Sequence, residues 1–357
     1  MKKFQSRLAI TGIAAILATS ALTACVEQAG AEPEEADGAY KIGFLMPDLA
    51  STRYEDQDHP LFAAKIAELC AECEVIYQNA DASAATQQEQ VNSLIAQGVD
   101  AIVLDAVDTA AAASYVVAAN AAEIPIIAYD RPIPDQPADY YISFDNEGIG
   151  ESIAASLVEK LDAEGAEGGV LIVNGSPTDA AAGLIKQGIH NSVDSSGYEL
   201  LAEFDTPQWD PAQAQAWVSG QITQFGDQIA GVVAANDGTG GGTIAAFKAA
   251  GITDVPPVTG NDAEVAAAQR ILAGDQYNTI SKPIRIVAEA AAEVAYAFAS
   301  GETVAGETEL YGTPSQLFVP EVVTLENIKE ILFDSGIMTA EEVCTAEYAD
   351  ACEAAGI

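Results

Sequence analysis

From Tyr40 onward, short apolar runs alternate with longer amphipathic stretches. Runs of four to six residues rich in β-branched and aromatic side chains read as strands, and stretches with a 3.6-residue period read as helices. The pattern predicts strands at Lys41–Met46, Glu74–Tyr77, Ala101–Leu104, Ile124–Ala128 and Tyr140–Phe144. Helices over about 60–72, 84–97 and 109–122 join the first four, and Asp145-Asn146 opens a long helix to about 162. The rhythm then restarts with strands at Val170–Val173, Glu199–Phe204, Ile229–Ala234, Val258-Thr259 and Tyr277–Ile280. Helices over about 178–195, 211–224, 240–250 and 263–273 lie between them, and Pro283 begins another running to about 299. Strand–helix alternation of this kind predicts parallel α/β sheets. One topological plan is used twice, so the expected fold is α/β: two Rossmann-like, doubly wound lobes with a cleft between them, and a first crossing near residue 144.

The N-terminus breaks the pattern. Lys2, Lys3 and Arg7 precede an apolar run from Leu8 to Leu22 that is short for a membrane span, the layout of an export signal over residues 1–24. It ends in Leu22-Thr23-Ala24-Cys25, which matches the bacterial lipobox, so Cys25 is the expected lipidation site. Lipid there would hold the protein on the outer face of the cell membrane. Residues 25–39 carry five acids and no aromatic ring, and read as a lipid-anchored acidic tether.

Charge and cysteine usage narrow the partners. The chain has 54 acidic and 14 basic residues, for a net charge of −40, and residues 1–24 hold three of those cations and none of the acids. Such a surface repels nucleic acid and anionic headgroups. Beyond Cys25 there are four cysteines, Cys70, Cys73, Cys344 and Cys352, an even number that suggests two disulfides in an exported protein. Three connectivities are open, and the local pairs 70–73 and 344–352 are favoured. A metal or redox role for the Cys-x-x-Cys lacks both a thioredoxin-like context and histidines, of which the chain has only His59 and His190.

Ligands of parallel sheets bind at the carboxyl ends of strands. The fourth strand ends in Asp130-Arg131-Pro132, a carboxylate beside a guanidinium fork. A single such pair is ordinarily a loop salt bridge. Here, however, the first strand leads to Arg53-Tyr54, and strands of the second half lead to Asn174–Asp179, Asp205–Trp209, Asn236-Asp237, Gly260-Asn261-Asp262 and Ser281-Lys282. Asp and Asn at such places often only cap helices, and Asp179 and Asp237 are assigned to that role. The recurrence in both halves is harder to attribute to capping. Donors and acceptors interleaved with aromatic faces suit a sugar, whose hydroxyls do both and whose CH faces are apolar.

Catalytic readings find less support. Gly175-Ser176-Pro177 is not a nucleophile elbow. Gly238–Thr243 lacks the Lys of a phosphate loop and fits no dinucleotide fingerprint, so no cofactor is implied. A glycosidase would need two opposed carboxylates, which so acidic a chain does not exclude.

The segments YKIGFLMPDLASTRYEDQD, AYDRPI, YYISFDNEGIGE, VNGSPTD, VVAANDGTGGGTIAA, VTGNDAE and ISKPI resemble, in the same order, the D-xylose-binding and multiple-sugar-binding branch of the type I periplasmic sugar-binding proteins. The resemblance runs from about residue 40 to 330. It implies a non-enzymatic, monomeric solute-binding lipoprotein with a three-segment hinge, which passes a monosaccharide to an ABC permease. Residues 40–143 with about 284–320 would form the N-terminal lobe, and 144–283 with about 321–357 the other lobe and tail. The implied sugar contacts are Arg53, Tyr54, Asp130, Arg131, Trp209, Asn236, Asp262 and Lys282. Arginines would donate, Asp130 and Asp262 accept, Asn236 do both, and Trp209 and Tyr54 cover the ring faces. Being adjacent, Asp130 and Arg131 are expected to neutralise one another. The chain departs from the family in Tyr54, where tryptophan is common, in Asp58-His59-Pro60, and in the alanines at 180–182 where the family has amides. A sugar sensor read by a chemoreceptor or kinase, and an exported carbohydrate enzyme, remain alternatives.

Overall fold

The computed structural model describes residues 38–357. The expected signal, the lipidation site Cys25 and most of the acidic tether lie outside the described residues. Among the described residues, no helix is long and apolar enough to cross a membrane.

The first half forms β1 (Lys41–Met46), α1 (His59–Leu69), β2 (Glu74–Asn79), α2 (Ala84–Gln97), β3 (Ala101–Leu104), α3 (Ala112–Ala121), β4 (Ile126–Tyr129) and β5 (Tyr140–Phe144). The second runs through α4 (Asn146–Glu164), β6 (Gly169–Asn174), α5 (Ala180–Val193), β7 (Glu199–Asp205), α6 (Pro211–Phe225), β8 (Ile229–Ala234), α7 (Asp237–Ala249), α8 (Val265–Leu272) and β9 (Asn278–Ser281). The chain closes with α9 (Ile284–Ala299), β10 (Thr308–Leu310), β11 (Thr313–Phe318), β12 (Glu321–Thr324), α10 (Ala340–Val343) and α11 (Ala349–Ala355).

Two separate sheets organise these elements. Seven strands in the order β10-β11-β5-β4-β3-β1-β2 build the first lobe, parallel except for the β10–β11 hairpin. In the second lobe β7-β6-β8 run parallel, and β9 pairs antiparallel with β12. Three segments pass between the lobes: Phe144 to Asn146, Ser281 to Ile284, and Phe318 to Glu321. The first and third are stitched together, because Asp145 N donates to Phe318 O at 2.9 Å.

The cores follow from strands covered on both faces. Along β1, Ile42, Phe44 and Met46 belong to the core under α1 and α9, whereas Leu45 points to the opposite core under α2 and α3. Phe44 is fully buried and stacks on Phe62 of α1 at 4.1 Å, a burial that stabilises by about 1.5–3 kcal/mol per side chain. In the second lobe α4 and α5 touch backbone to backbone. A methyl on Gly150 would strike the Ile185 carbonyl, and one on Gly188 would strike that of Glu147. Helix starts carry their own signals: Ser83 caps α2, Asp145 caps α4 and Asp210 caps α6.

One expected strand is reduced to a single bridge. Val258-Thr259 pairs with β8 only through Val232 and Val258. Pro256 and Pro257 have no N–H to extend the ladder, and the Thr259 hydroxyl takes over, accepting from Ala234 N at 2.9 Å and donating to Ala234 O at 2.8 Å. Cys70 is joined to Cys73 and Cys344 to Cys352.

Candidate ligand-binding site

Strand ends from both sheets converge on one narrow polar cavity of about 30 Å³. All eight residues singled out from the sequence line it: Arg53, Tyr54, Asp130, Arg131, Trp209, Asn236, Asp262 and Lys282. Ser51, Asn146, Asp179, Ala181, Ile185 and Asn261 line it as well.

Asp130 and Arg131 do not form an ion pair with one another. Asp130 sits at φ +59°, in the left-handed region, just after β4, and the two side chains diverge. The Asp130 carboxylate meets Arg53 Nη2 at 2.5 Å and Lys282 Nζ at 3.4 Å. Arg131 instead faces Asp48 at 3.1 Å, Asp105 and Asp179 at 3.2 Å each, and donates through Nη1 to Ala106 O at 2.9 Å and through Nη2 to Tyr54 OH at 3.2 Å. The bend is held by its own carbonyl, since Asp130 O accepts from Tyr141 OH at 2.9 Å and Ser143 Oγ at 2.8 Å. The reason for the departure is the left-handed turn at Asp130, which sends the two side chains to different partners although they are adjacent in sequence.

Burial sets the electrostatics. It would push the Asp130 carboxyl up, but Arg53, Lys282 and Arg131 outweigh it and hold the group well below the ordinary carboxylate range. Asp58, behind Arg53, is lifted by burial to about 6 despite Arg53 and a hydrogen bond from Tyr129 OH. Asp179 is raised by burial, with Arg131 and the Trp209 indole opposing. Each of the three cations lining the cavity is matched: Arg53 and Lys282 by Asp130, Lys282 also by Asp262 at 3.1 Å, and Arg131 by three carboxylates.

Two residues have other roles than expected. Asp179 does cap α5, accepting from Ala181 N at 2.8 Å, but its second oxygen accepts from Trp209 Nε1 at 3.0 Å and faces Arg131 across the cleft. Asn236 caps α7, its oxygen accepting from Thr239 N and Thr239 Oγ1 at 2.8 Å each, so only its amide nitrogen is left to face the cavity. Asp237 stays structural. It accepts from Glu264 N, Gln276 Nε2 and Thr279 Oγ1, fixing the loop that carries Asp262.

Trp209 and Tyr54 supply the aromatic walls. The Trp209 ring lies against Gly175, where any methyl would overlap it. Tyr54 is covered by the Arg53 guanidinium at 4.9 Å from the ring centroid. Ala181 and Ile185, one helical turn apart on α5, add an apolar strip. That spacing is a signal the sequence carries, although it equally fits a helix face packed on its own sheet.

The lobes also touch beyond the cavity. Thr109 N donates to Thr178 O at 3.0 Å, Ala180 N to Thr109 Oγ1 at 3.1 Å, and Gln208 Nε2 to Ala82 O at 3.2 Å.

Two lobes of parallel sheet joined by three crossings, with a polar cavity between the strand ends, define a type I periplasmic binding protein. Residues 42–303 match the periplasmic binding protein domain, and the chain belongs to that family. It is 33% identical over 311 residues to the D-xylose-binding periplasmic protein of Escherichia coli, covering 85% of this chain and 92% of that one. It is 28% identical to the multiple sugar-binding periplasmic receptor of Rhizobium radiobacter, with the same coverage. Among solved structures, it is similar to an ABC transporter solute-binding protein from Clostridium phytofermentans with bound β-D-glucose. That pair has a TM-score of 0.77 and 28% identity, covering 85% of this chain and 99% of the other.

Proposed function

We propose that this protein captures a monosaccharide, xylose or a related aldose, between its lobes outside the cytoplasm and delivers it to an ABC permease, tethered to the membrane through lipid on Cys25. The lobes in this reading are residues 40–143 with about 284–320 and residues 144–283 with about 321–357. The protein works as a monomer without cofactor.

One observation carries the reading: the cavity is lined by cations already matched by carboxylates, with aromatic rings on both lobes. A charged ligand would meet no unmatched partner there, whereas hydroxyls can insert among fixed donors and acceptors. Relatives whose names specify D-xylose or several sugars support the class of ligand. Capture follows from a ligand that touches both lobes only when they close and so shifts the population towards closure. The roles expected from sequence are kept for Arg53, Arg131, Asp130, Asp262, Lys282, Tyr54 and Trp209, while Asn236 acts as donor alone.

A thermal-shift screen of aldoses tests this. A ligand at 100 times its Kd stabilises by about 2.7 kcal/mol. D-xylose or a close aldose should raise the melting temperature, and a flat response to every monosaccharide would refute the reading.

A further inference from the structure

The loop after the Val258 bridge carries a side chain that the assigned contacts leave out. Asn261 lines the cavity, is 2% exposed, and is the one lining residue whose side-chain oxygen is buried without a hydrogen-bond partner among the described residues. Its backbone is firmly held. Asn261 O accepts from Asp237 N at 2.9 Å, Gly260 N reaches Asn278 Oδ1 at 3.3 Å, and Ala263 N reaches Thr279 Oγ1 at 3.1 Å. A fixed loop thus presents an unsatisfied amide to the pocket. Burying a polar group without a partner is costly, and such groups are rare unless something else satisfies them.

The neighbouring chemistry indicates what does. The bond from Asp237 N to Asn261 O places Asn261 beside Asn236, whose oxygen is occupied by Thr239. The pair therefore offers a donor from Asn236 and an acceptor from Asn261 on one wall of the second lobe. Adjacent hydroxyls of a polyol, each able to donate and accept, complement that arrangement.

We propose that Asn261 is a direct ligand contact, its amide oxygen accepting a hydrogen bond from a sugar hydroxyl next to the one that Asn236 donates to. This rests on the monosaccharide reading above. An amide held for the ligand predicts that its removal lowers affinity and leaves the ligand-free stability little changed.

The test is calorimetric titration of wild type, Asn261→Ala and Asn261→Ser with D-xylose and D-glucose, alongside melting curves without sugar. Asn261→Ala should weaken binding of the recognised sugar about tenfold. Its ligand-free melting temperature should stay close to that of the wild type, because the Asn261 side-chain oxygen makes no hydrogen bond within the protein. Asn261→Ser, with a small hydroxyl, should fall between, and it decides the matter if the alanine variant does not fold. Variants that bind like the wild type, or that melt earlier with affinity intact, overturn the assignment and leave the sugar reading standing. A wild type that binds neither these sugars nor any other aldose overturns both.

Discussion

Asp130 and Arg131 are neighbours in sequence and belong to different ion networks: one carboxylate shared by Arg53 and Lys282, one guanidinium shared by Asp48, Asp105 and Asp179. Each network crosses the cleft, through Lys282 in one case and Asp179 in the other. Asp130→Asn keeps a residue type that tolerates the left-handed backbone but leaves two buried cations without their shared carboxylate. Sugar affinity should drop by about 2–5 kcal/mol in calorimetry. Unchanged affinity would remove Asp130 from the site.

Gly175→Ala should displace the Trp209 indole, because the added methyl occupies ring space. The expected result is a folded protein with weaker binding of every sugar it takes and an altered tryptophan emission. If emission and affinity both stay at wild-type values, the Trp209 wall is not what shapes the pocket.

The matched cations make a prediction about ligand charge. D-glucuronate should bind far more weakly than D-glucose, since its carboxylate would enter a cavity lined by Asp130, Asp179 and Asp262. Comparable affinities in a competition assay would contradict the charge argument.

Stability should fall as pH rises through the neutral range. Burial raises Asp58 to about 6 and Asp237 to about 7; burial, then Asp237 and Asp262, raise Glu264 to about 8. These folded-state values exceed the ordinary 3.8 and 4.5, so the native state binds more protons between about pH 4 and pH 8 and loses that advantage as pH rises. Asp130 acts in the opposite sense, but only below about pH 4, where the unfolded chain's carboxyl binds a proton while the held-down native one stays ionised. The ligand-free protein should melt higher at pH 5.5 than at pH 8.5, and Glu264→Gln should narrow the gap. An equal gap in the variant would show that Glu264 does not titrate in this window.

The bond between Cys344 and Cys352 closes a short loop over the core formed by α8 and the C-terminal helices. Replacing both cysteines by serine should cost about 2–3 kcal/mol of stability by loop entropy. Sugar affinity should be unaffected, as neither residue lines the cavity. Loss of binding in a variant that still melts cooperatively would link the tail to the site.

Strand–helix alternation and the residues at strand ends were legible in the sequence because both follow local rules. Tyr140–Phe144 and Ile229–Ala234 could be placed to the residue, since apolar runs and turn residues bound them. What local rules cannot convey is which way a side chain turns after a strand ends. The pairing of Asp48 and Asp105 with Arg131 is not legible because Arg131 lies 83 and 26 positions away in the chain. Thr259 reads as a strand residue, yet its hydroxyl does the ladder's work beside two prolines. Asn261 was hidden by its neighbour Asp262: an amide looks ordinary in a turn until its own oxygen is seen to lack a partner.

The paired glycines Gly150 and Gly188 leave no slack between α4 and α5. Helix α4 starts at Asp145, in the first crossing, and α5 starts at Asp179, on the cavity wall. The two helices therefore pack as one crank, joining the first crossing to Asp179 and Ala181 on the cavity wall. Bulk at either glycine would loosen that crank, so closure could still happen while the wall arrived out of register with the ligand.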